Sequence, residues 1–276
     1  MRQEEIARRE RPAPAPAHRD GDHSVDGPMR AILTYHSIDS SGSPISVSPE
    51  AFRAHCGWLA RGPVRVVPLA ALLTLPETED AVALTFDDGY SNFAAEAAPL
   101  LETYGLPATL FVVAGHVGTT NAWGGRADPR IPTLSLLDWP ALAGLAERGI
   151  RLGAHSRTHP RLSRVPPPQL EDELAGAAEL IRRETGQHPE DLAYPFGDVD
   201  AAVARAAGRI YRRAVTTEFR PLGPVEDPLR LPRLDAYYFR RRGQLEAWGT
   251  PRFRRRLWFR GQARRLRQRF PGGGSG

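Results

Sequence analysis

Two adjacent carboxylates end an apolar run in this sequence. The stretch AVALTF (81–86) has the composition of a buried strand, and Asp87 and Asp88 follow it directly. Gly89 comes next and lets the chain turn at once, so both side chains could face one cavity. Two such anions repel each other, which calls for a nearby cation. A pair of turn or capping residues would look the same, so other residues must decide between these interpretations.

Two histidines at close spacing support the chemical interpretation. His155 and His159 follow the strand-like run IRLG (150–153). The pattern H-x-x-x-H can bring two imidazoles to one metal ion, and a carboxylate would complete a three-ligand site with open positions for water and substrate. Either histidine alone could be an ordinary surface or core residue. Together with the carboxylate pair they predict a metal site in which one aspartate binds and the other acts as a base.

A third loop follows the strand-like run DLA (191–193). It consists of four residues that predict a stiff turn with an aromatic wall: Tyr194, Pro195, Phe196 and Gly197. Gly197 would allow a ligand to approach the backbone closely. Alone this is the pattern of an ordinary turn, but its position after a strand makes it a candidate wall of the same cavity. Trp123, in the long loop 116–139, could stack on a sugar ring or could simply pack within the loop.

Alternating strands and helices must position these motifs. Strand-like runs occupy 31–35, 64–67, 81–86, 108–113, 150–155, 191–195, 211–216 and 231–235, and helical segments occupy 49–60, 92–104, 138–148, 167–185 and 199–209. Strands separated by helices indicate parallel pairing with crossover connections. Seven or eight such units favour an α/β fold with barrel-like closure over an open sheet.

Charge and composition divide the chain into three parts. With 276 residues and 41% hydrophobic content, it is long enough for one large α/β domain. We assign that domain to residues 29–239, preceded by a disordered leader (1–28) of mixed charge, proline and alanine. Residues 240–276 contain twelve arginines and one acid, so they form a basic segment that ends in a flexible Gly-rich tail. The single cysteine, Cys56, excludes an internal disulfide framework and predicts a buried small residue.

In this order, TFDDG (85–89), HSRTH (155–159) and YPFG (194–197) resemble the three motifs of the polysaccharide deacetylase family, the NodB-homology or carbohydrate esterase family 4 domain. The resemblance covers about residues 30–238. It implies a distorted (β/α) barrel of about seven parallel strands with the site at their C-terminal ends. It also implies metal-dependent removal of N-acetyl groups from amino sugars. Carried over by position, Asp87 is the general base, and the metal ligands are Asp88, His155 and His159.

Two departures from the family pattern need substitutes. The third motif of the family usually begins with an arginine that holds the catalytic aspartate, but this sequence has Ala193 at that position. Arg233, in LPRLD (231–235), could take the place of the missing arginine, or it could be an ordinary surface residue. The last histidine is His188, so the family's usual C-terminal catalytic histidine is missing. His36 ends the first strand and is our candidate general acid, although it could merely pack there. This arrangement resembles the subgroup that deacetylates biofilm poly-N-acetylglucosamine.

The expected activity is hydrolysis of N-acetyl groups on amino sugars of a polysaccharide or glycan precursor. The alternative is hydrolysis of a non-sugar amide or imide at the same metal site. The expected cofactor is a divalent metal, zinc first, with cobalt, nickel or manganese as candidates. The partner would be an N-acetylated glycan or glycolipid. A glycan-binding module without catalytic activity is disfavoured, because binding alone does not need a base beside a metal.

The basic segment 240–276 has two interpretations. Its mixture of arginine with apolar residues could contact an anionic membrane surface, whereas the favoured alternative is a solvated helix or tail. A nucleic-acid partner is not expected, since it would leave the strand-end cluster unexplained. Because residues 1–28 lack the apolar core of a secretion signal, the expected location is the cytoplasm or the inner face of the membrane.

Overall fold

The computed structural model describes residues 27–123 and 129–269. In this part of the chain the strands are β1 (Arg30–Tyr35), β2 (Ser37–Ile38), β3 (Ser46–Val47), β4 (Arg65–Val66), β5 (Ala81–Phe86), β6 (Ala108–Val112), β7 (Arg151–Ala154), β8 (Asp191–Ala193), β9 (Arg213–Val215) and β10 (Leu234–Asp235). The predicted strands are therefore all present, most of them within a residue or two of their expected bounds. The short pair β2 and β3 was not anticipated.

The helices lie between the strands, as predicted. They are α1 (Pro49–Arg61), α2 (Leu69–Leu72), α3 (Ala98–Tyr104), α4 (Trp139–Glu147), α5 (Pro167–Glu171), α6 (Ala177–Thr185), α7 (Ala201–Ala207) and α8 (Pro251–Arg269). Wider π-helical turns precede α3 (Phe93–Ala97) and join α5 to α6 (Asp172–Gly176). Ser48, Asp138 and Asp200 accept hydrogen bonds from free N–H groups at the starts of α1, α4 and α7, which fixes where these helices begin.

The main sheet closes into a distorted barrel. Its strand order is β10-β1-β5-β6-β7-β8-β9, all pairs are parallel, and β4 pairs with the beginning of β5. A parallel bridge between Val215 and Leu231 joins the far edge to the segment that leads into β10. Because β10 pairs with β1, this segment links the two edges of the sheet. The predicted barrel of about seven parallel strands is confirmed.

The strands present different side chains to the two faces of the sheet. The outer face packs against the helices in a large apolar core that includes Leu33, Leu84 and Phe86. The inner face holds a smaller cluster that includes Ile32, Ala83 and Phe111. Parallel register pairs Ile32 with Ala83 and, two residues further along, Thr34 with Thr85. The barrel interior is therefore apolar in its middle and becomes polar toward the C-terminal ends of the strands.

The basic segment is attached to the barrel by apolar side chains. Leu245, Trp248, Phe253 and Leu257 are buried in the large core, while Trp258 and Phe259 are exposed. Among the described residues, no helix is both long enough and apolar enough to cross a membrane. Most of the predicted leader (1–26), the Gly-rich end (270–276) and part of the long loop (124–128) lie outside the described residues.

Cys56 is fully buried, as predicted from its position on the apolar face of α1. Burial raises the pKa of its thiol to about 12, so the thiolate that would react with an electrophile is not formed at neutral pH. The side chain acts as a small apolar residue of the core.

A buried histidine on α1 makes folding sensitive to acid. His55 bridges the Tyr35 hydroxyl (3.0 Å) and the Phe239 carbonyl oxygen (3.1 Å), and burial lowers its pKa. A depressed pKa gives a stability contribution that is complete above the unfolded value, about 6.5, and is lost as the pH falls toward the folded value. We expect the unfolding free energy from urea titration to decrease below pH 6.5. His55→Gln should flatten that decrease, whereas His188→Gln, at an exposed position, should leave it unchanged.

Candidate active site

The two adjacent aspartates lie where β5 ends. Asp87 continues the ladder, since its N–H donates to the Tyr35 carbonyl oxygen (2.9 Å). The chain then turns through positive φ at Asp88 (74°) and at Gly89 (79°). Positive φ is costly for a residue other than glycine, and such strain is typical of functional sites. This turn directs both carboxylates into one cavity, as expected from the sequence.

The two histidines follow β7 and face Asp88. His155 Nδ1 lies 2.7 Å from the carbonyl oxygen of Ala193 and must donate to it, which leaves the Nε2 lone pair directed into the site. The Nε2 atoms of His155 and His159 lie 3.5 and 3.6 Å from Asp88 Oδ1. The structure therefore brings together all three residues that the sequence suggested as ligands.

This cluster has the properties of a metal site. Asp88, His155 and His159 are all buried, and each offers one ligand atom within 4.8 Å of the others. His159 Nδ1 is buried without a hydrogen-bond partner among the described residues. Burial and the neighbouring His155 lower the pKa of His159, so its imidazole is neutral and can bind a cation. Two imidazoles and a carboxylate fit a divalent ion with open coordination positions.

Arg233 holds the other aspartate. Its Nη1 and Nη2 donate to the two Asp87 oxygens, each at 2.7 Å, and the pair is almost fully buried. Nε donates to the Thr216 carbonyl oxygen (3.0 Å) and Nη1 also donates to Thr34 Oγ1 (2.8 Å), so the guanidinium is fixed in place. Burial alone would raise the pKa of Asp87, but the charge and hydrogen bonds of Arg233 outweigh it and hold this pKa well below its usual range.

Arg233 is the buried partner of Asp87 rather than a surface residue. It directly precedes β10, and its long side chain reaches the cavity. Ala193, at the end of β8, is buried and could not make the same contact. The guanidinium that the third motif lacks is thus supplied by Arg233, from the segment that leads into β10.

His36 borders the cavity at the end of β1. Its Nε2 lies 3.7 Å from Asp87 Oδ2, too far for a hydrogen bond but close enough for one after a small movement, and a quarter of the side chain is exposed. It is therefore more exposed than His155 and His159, which are buried.

The cavity has a polar floor and aromatic walls, with a volume of about 410 Å³. The rings of Trp123 and Phe196 both pack against His159, with centroids 4.6 and 4.7 Å from its ring. Phe196 is half-exposed, and the guanidinium of Arg161 lies 4.6 Å from its ring centroid. Flat apolar rings at the rim of a polar cavity are suited to contact with the faces of sugar rings.

The third loop contributes less than expected. Of its residues, Tyr194 and Phe196 border the cavity, whereas Pro195 and Gly197 do not. The ring of Tyr194 is buried and its hydroxyl donates to the Leu229 carbonyl oxygen (3.0 Å), so that group cannot contact a substrate. Gly197 is needed for another reason than ligand approach, because a Cβ there would lie 2.2 Å from Thr217 Oγ1.

A backbone N–H of this loop could serve as a hydrogen-bond donor to a ligand in the cavity. The N–H of Tyr194 donates to the Val215 carbonyl oxygen (3.1 Å), and that of Gly197 donates to the Tyr194 carbonyl oxygen (2.8 Å). Pro195 has no N–H. Phe196 is therefore the remaining residue of the loop that could supply this donor.

Other lining residues were missed in the sequence. Tyr90 borders the cavity beside Asp88, and its hydroxyl accepts a hydrogen bond from Asn121 Nδ2 (3.4 Å). Its position directly after TFDDG was the one available signal. Asn121, Ile45 and Thr217 also line the cavity, but they belong to irregular segments whose course no periodic pattern predicts.

Comparisons with known proteins agree with this arrangement. The family model described as polysaccharide deacetylase matches residues 74–215, just over half of the chain. YxkH of Bacillus subtilis is 31% identical over 193 residues, which cover 68% of this chain and 64% of YxkH. A poly-beta-1,6-N-acetyl-D-glucosamine N-deacetylase of Staphylococcus epidermidis is 22% identical over 221 residues, which cover 75% of this chain and 73% of that protein. The chain thus spans less than two thirds of YxkH.

The fold is shared with solved structures. IcaB from Ammonifex degensii superposes with a TM-score of 0.67 at 21% identity, covering 81% of this chain and 98% of that one. The range matched by the family model includes the carboxylate pair and both histidines, while His36 and Arg233 lie outside it. Fold, matched range and strand-end cluster all lead to one conclusion: the chain belongs to the polysaccharide deacetylase family.

Proposed function

We propose that this protein hydrolyses N-acetyl groups on amino sugars of a polysaccharide or glycan precursor, using a divalent metal. The observation that carries the proposal is the three-residue cluster Asp88, His155 and His159 beside an aspartate held by a buried arginine, within one cavity. The name of the Staphylococcus epidermidis relative supports an N-acetylated hexosamine polymer as the substrate class.

Zinc is the metal we propose, with cobalt, nickel and manganese as the other candidates. Asp88, His155 and His159 would hold it, since two imidazoles and one carboxylate are a usual ligand set of catalytic zinc. A bound divalent ion would supply Lewis acidity toward the acetamide carbonyl and would make water in the site more acidic. Ala193 orients His155 through its carbonyl oxygen, which accepts from Nδ1 at 2.7 Å.

Asp87 is the proposed proton acceptor. Its low pKa keeps it ionised, and each of its oxygens retains a lone pair beyond the one that Arg233 occupies. The fixed guanidinium also prevents rotation of the carboxylate. Asp87 is therefore held in position to receive a proton from a water molecule that attacks the acetamide carbonyl.

His36 is the proposed proton donor to the departing amine. An amine anion is a poor leaving group, so nitrogen must be protonated as the C–N bond breaks. The imidazole is partly exposed at the cavity wall, with Nε2 3.7 Å from Asp87 Oδ2, so it can reach a substrate bound beside Asp87.

One experiment tests the proposal and separates it from its alternative. Acetate release is measured across N-acetylglucosamine oligomers, N-acetylated polymers and simple cyclic imides, with metal content determined on the same preparation. We expect acetate release from the N-acetylated sugars. We expect no hydrolysis of the cyclic imides, which the alternative function would require. Imide hydrolysis with inert sugars would replace the proposed function by the alternative.

Arg233→Ala should change the pH dependence of the activity. Without the guanidinium, burial raises the pKa of Asp87, so the acidic limb of the pH–rate profile should move to higher pH and kcat should fall. Arg233→Lys keeps the positive charge but cannot make the bidentate contact with Asp87, so it should shift the acidic limb less than Arg233→Ala does. Arg148→Ala removes an exposed ion pair with Glu102 and serves as the control. An unchanged profile with full activity in Arg233→Ala would contradict this role.

A further inference from the structure

The loop between the two histidines has an unusual backbone. Ser156 and His159 both adopt positive φ, 60° and 63°, although neither is glycine. Such conformations cost free energy and persist only where the surroundings hold them. Ser156 Oγ accepts a hydrogen bond from the His159 N–H (2.9 Å), which fixes one end of the loop. The carbonyl oxygens of Ser156 and Arg157 accept hydrogen bonds from the N–H groups of Ala114 and Gly115 (3.2 and 2.8 Å). The N–H groups of Arg157 and Thr158 need a further partner.

Glu173 is that partner. Its Oε2 accepts hydrogen bonds from the backbone N–H groups of Arg157 and Thr158, both at 2.9 Å, and its Oε1 accepts one from Thr158 Oγ1 at 2.5 Å. The side chain is buried, with 8% of the residue exposed. A carboxylate can accept all three bonds at once, and a buried one held in this way has a single orientation.

The helix that carries Glu173 is itself well anchored. Glu173 lies in the π-helical turn Asp172–Gly176, and π-helical turns are frequent at functional sites. The next residue, Leu174, is fully buried in the core, and its carbonyl oxygen accepts a hydrogen bond from the Tyr211 hydroxyl (2.7 Å). Glu173 therefore connects a rigid part of the fold to the histidine loop.

We propose that Glu173 is a positioning residue that sets the affinity of the metal site by holding the loop between His155 and His159. The inference rests on the proposed function, because it takes these histidines as ligands. Loss of the three hydrogen bonds would let the loop relax toward unstrained φ values, which would move the two imidazoles apart. Groups that orient metal ligands in this way typically change metal affinity by roughly 10- to 100-fold.

The test measures dissociation constants for Zn²⁺ and Co²⁺ on the full chain after treatment with a chelator. Glu173→Ala should weaken binding by roughly 10- to 100-fold. Glu173→Gln should stay near the wild-type value, because its amide oxygen can accept both N–H groups and its NH₂ can donate to Thr158 Oγ1. Normal metal affinity in Glu173→Gln would show that the hydrogen bonds to the loop, rather than the negative charge of Glu173, set the affinity.

Asp172→Ala is the matched control. Asp172 is the preceding residue on the same helix, and its carboxylate pairs with the Arg157 side chain at 2.5 Å, with both side chains about half exposed. It touches no backbone N–H of the loop among the hydrogen bonds of the described residues. Exposed pairs contribute little, so metal affinity should remain within about twofold of wild type.

Thr158→Val covers the case in which Glu173→Ala does not fold. It removes one of the three bonds at nearly constant volume and should weaken metal binding by roughly 2- to 10-fold. Wild-type affinity in a folded Glu173→Ala or in Thr158→Val would overturn the inference, as would an equal loss in Asp172→Ala. If the wild-type chain itself bound neither metal, the proposed function would fail instead.

Discussion

Asp87→Asn is expected to keep the metal and to lower kcat by roughly 10²- to 10⁴-fold. Asparagine retains an oxygen that can accept from Arg233 but cannot take a proton from water. Asp88→Ala, His155→Ala and His159→Ala should instead lose both metal and turnover, because each removes one of only three ligands. Metal stoichiometry and acetate release, measured on the same samples, distinguish the two classes.

Stability must be checked alongside this prediction. Asp87→Asn leaves the Arg233 guanidinium buried without a counter-charge, and breaking a buried pair costs about 3–5 kcal/mol. Kinetics should therefore be measured well below the midpoint of thermal unfolding of the variant. If a folded Asp87→Asn lost the metal as completely as Asp88→Ala, the two aspartates would have to exchange roles.

His36→Ala should retain metal and substrate binding while kcat for an N-acetyl sugar falls by roughly 10²- to 10⁴-fold. The reason is specific to amides, since their departing nitrogen must be protonated. An activated aryl acetate has a leaving group that needs no proton. The same variant should therefore lose much less activity toward that ester, and the ratio of the two losses is the measurement.

Two controls sharpen the test of His36. His188→Ala changes an exposed histidine far from the cavity and should leave both activities unchanged. His36→Gln keeps a polar side chain of similar size without an acidic proton near neutrality, so it should behave like His36→Ala. Equal losses on the amide and the ester would indicate that His36 positions the substrate rather than protonating it.

Periodicity allowed most of the fold to be predicted. Runs such as AVALTF were recognisable because the inner and outer faces of these strands are both buried, which makes the strands almost continuously apolar. Two-residue elements such as β2 and β3 carry too few side chains for any pattern. The π-helical turns were also unpredictable, since widening a helix by one residue changes hydrogen bonding without changing composition.

Local motifs allowed the carboxylates and histidines of the site to be predicted, but not the residues that hold them in position. The carboxylates and histidines stand next to recognisable strands, so their convergence at one edge follows from parallel pairing. Glu173 and Thr34 belong to no recognisable motif. Their roles depend on hydrogen bonds to residues that are distant in sequence, Thr158 for Glu173 and Arg233 for Thr34. Tyr194 borders the cavity, as its motif suggested, but its ring is buried and its hydroxyl is bonded to Leu229, which the sequence did not indicate.

The position of Arg233 in the sequence has a consequence for the folding of this chain. Arg233 and Asp87 are separated by 146 positions, and the arginine arrives with the last strand of the barrel. A chain that is still being synthesised, or one truncated before β10, would have Asp87 without its neutralising partner. On the proposed mechanism, full activity therefore requires the last strand of the sheet, so a partly folded or truncated molecule should release acetate more slowly than the complete fold.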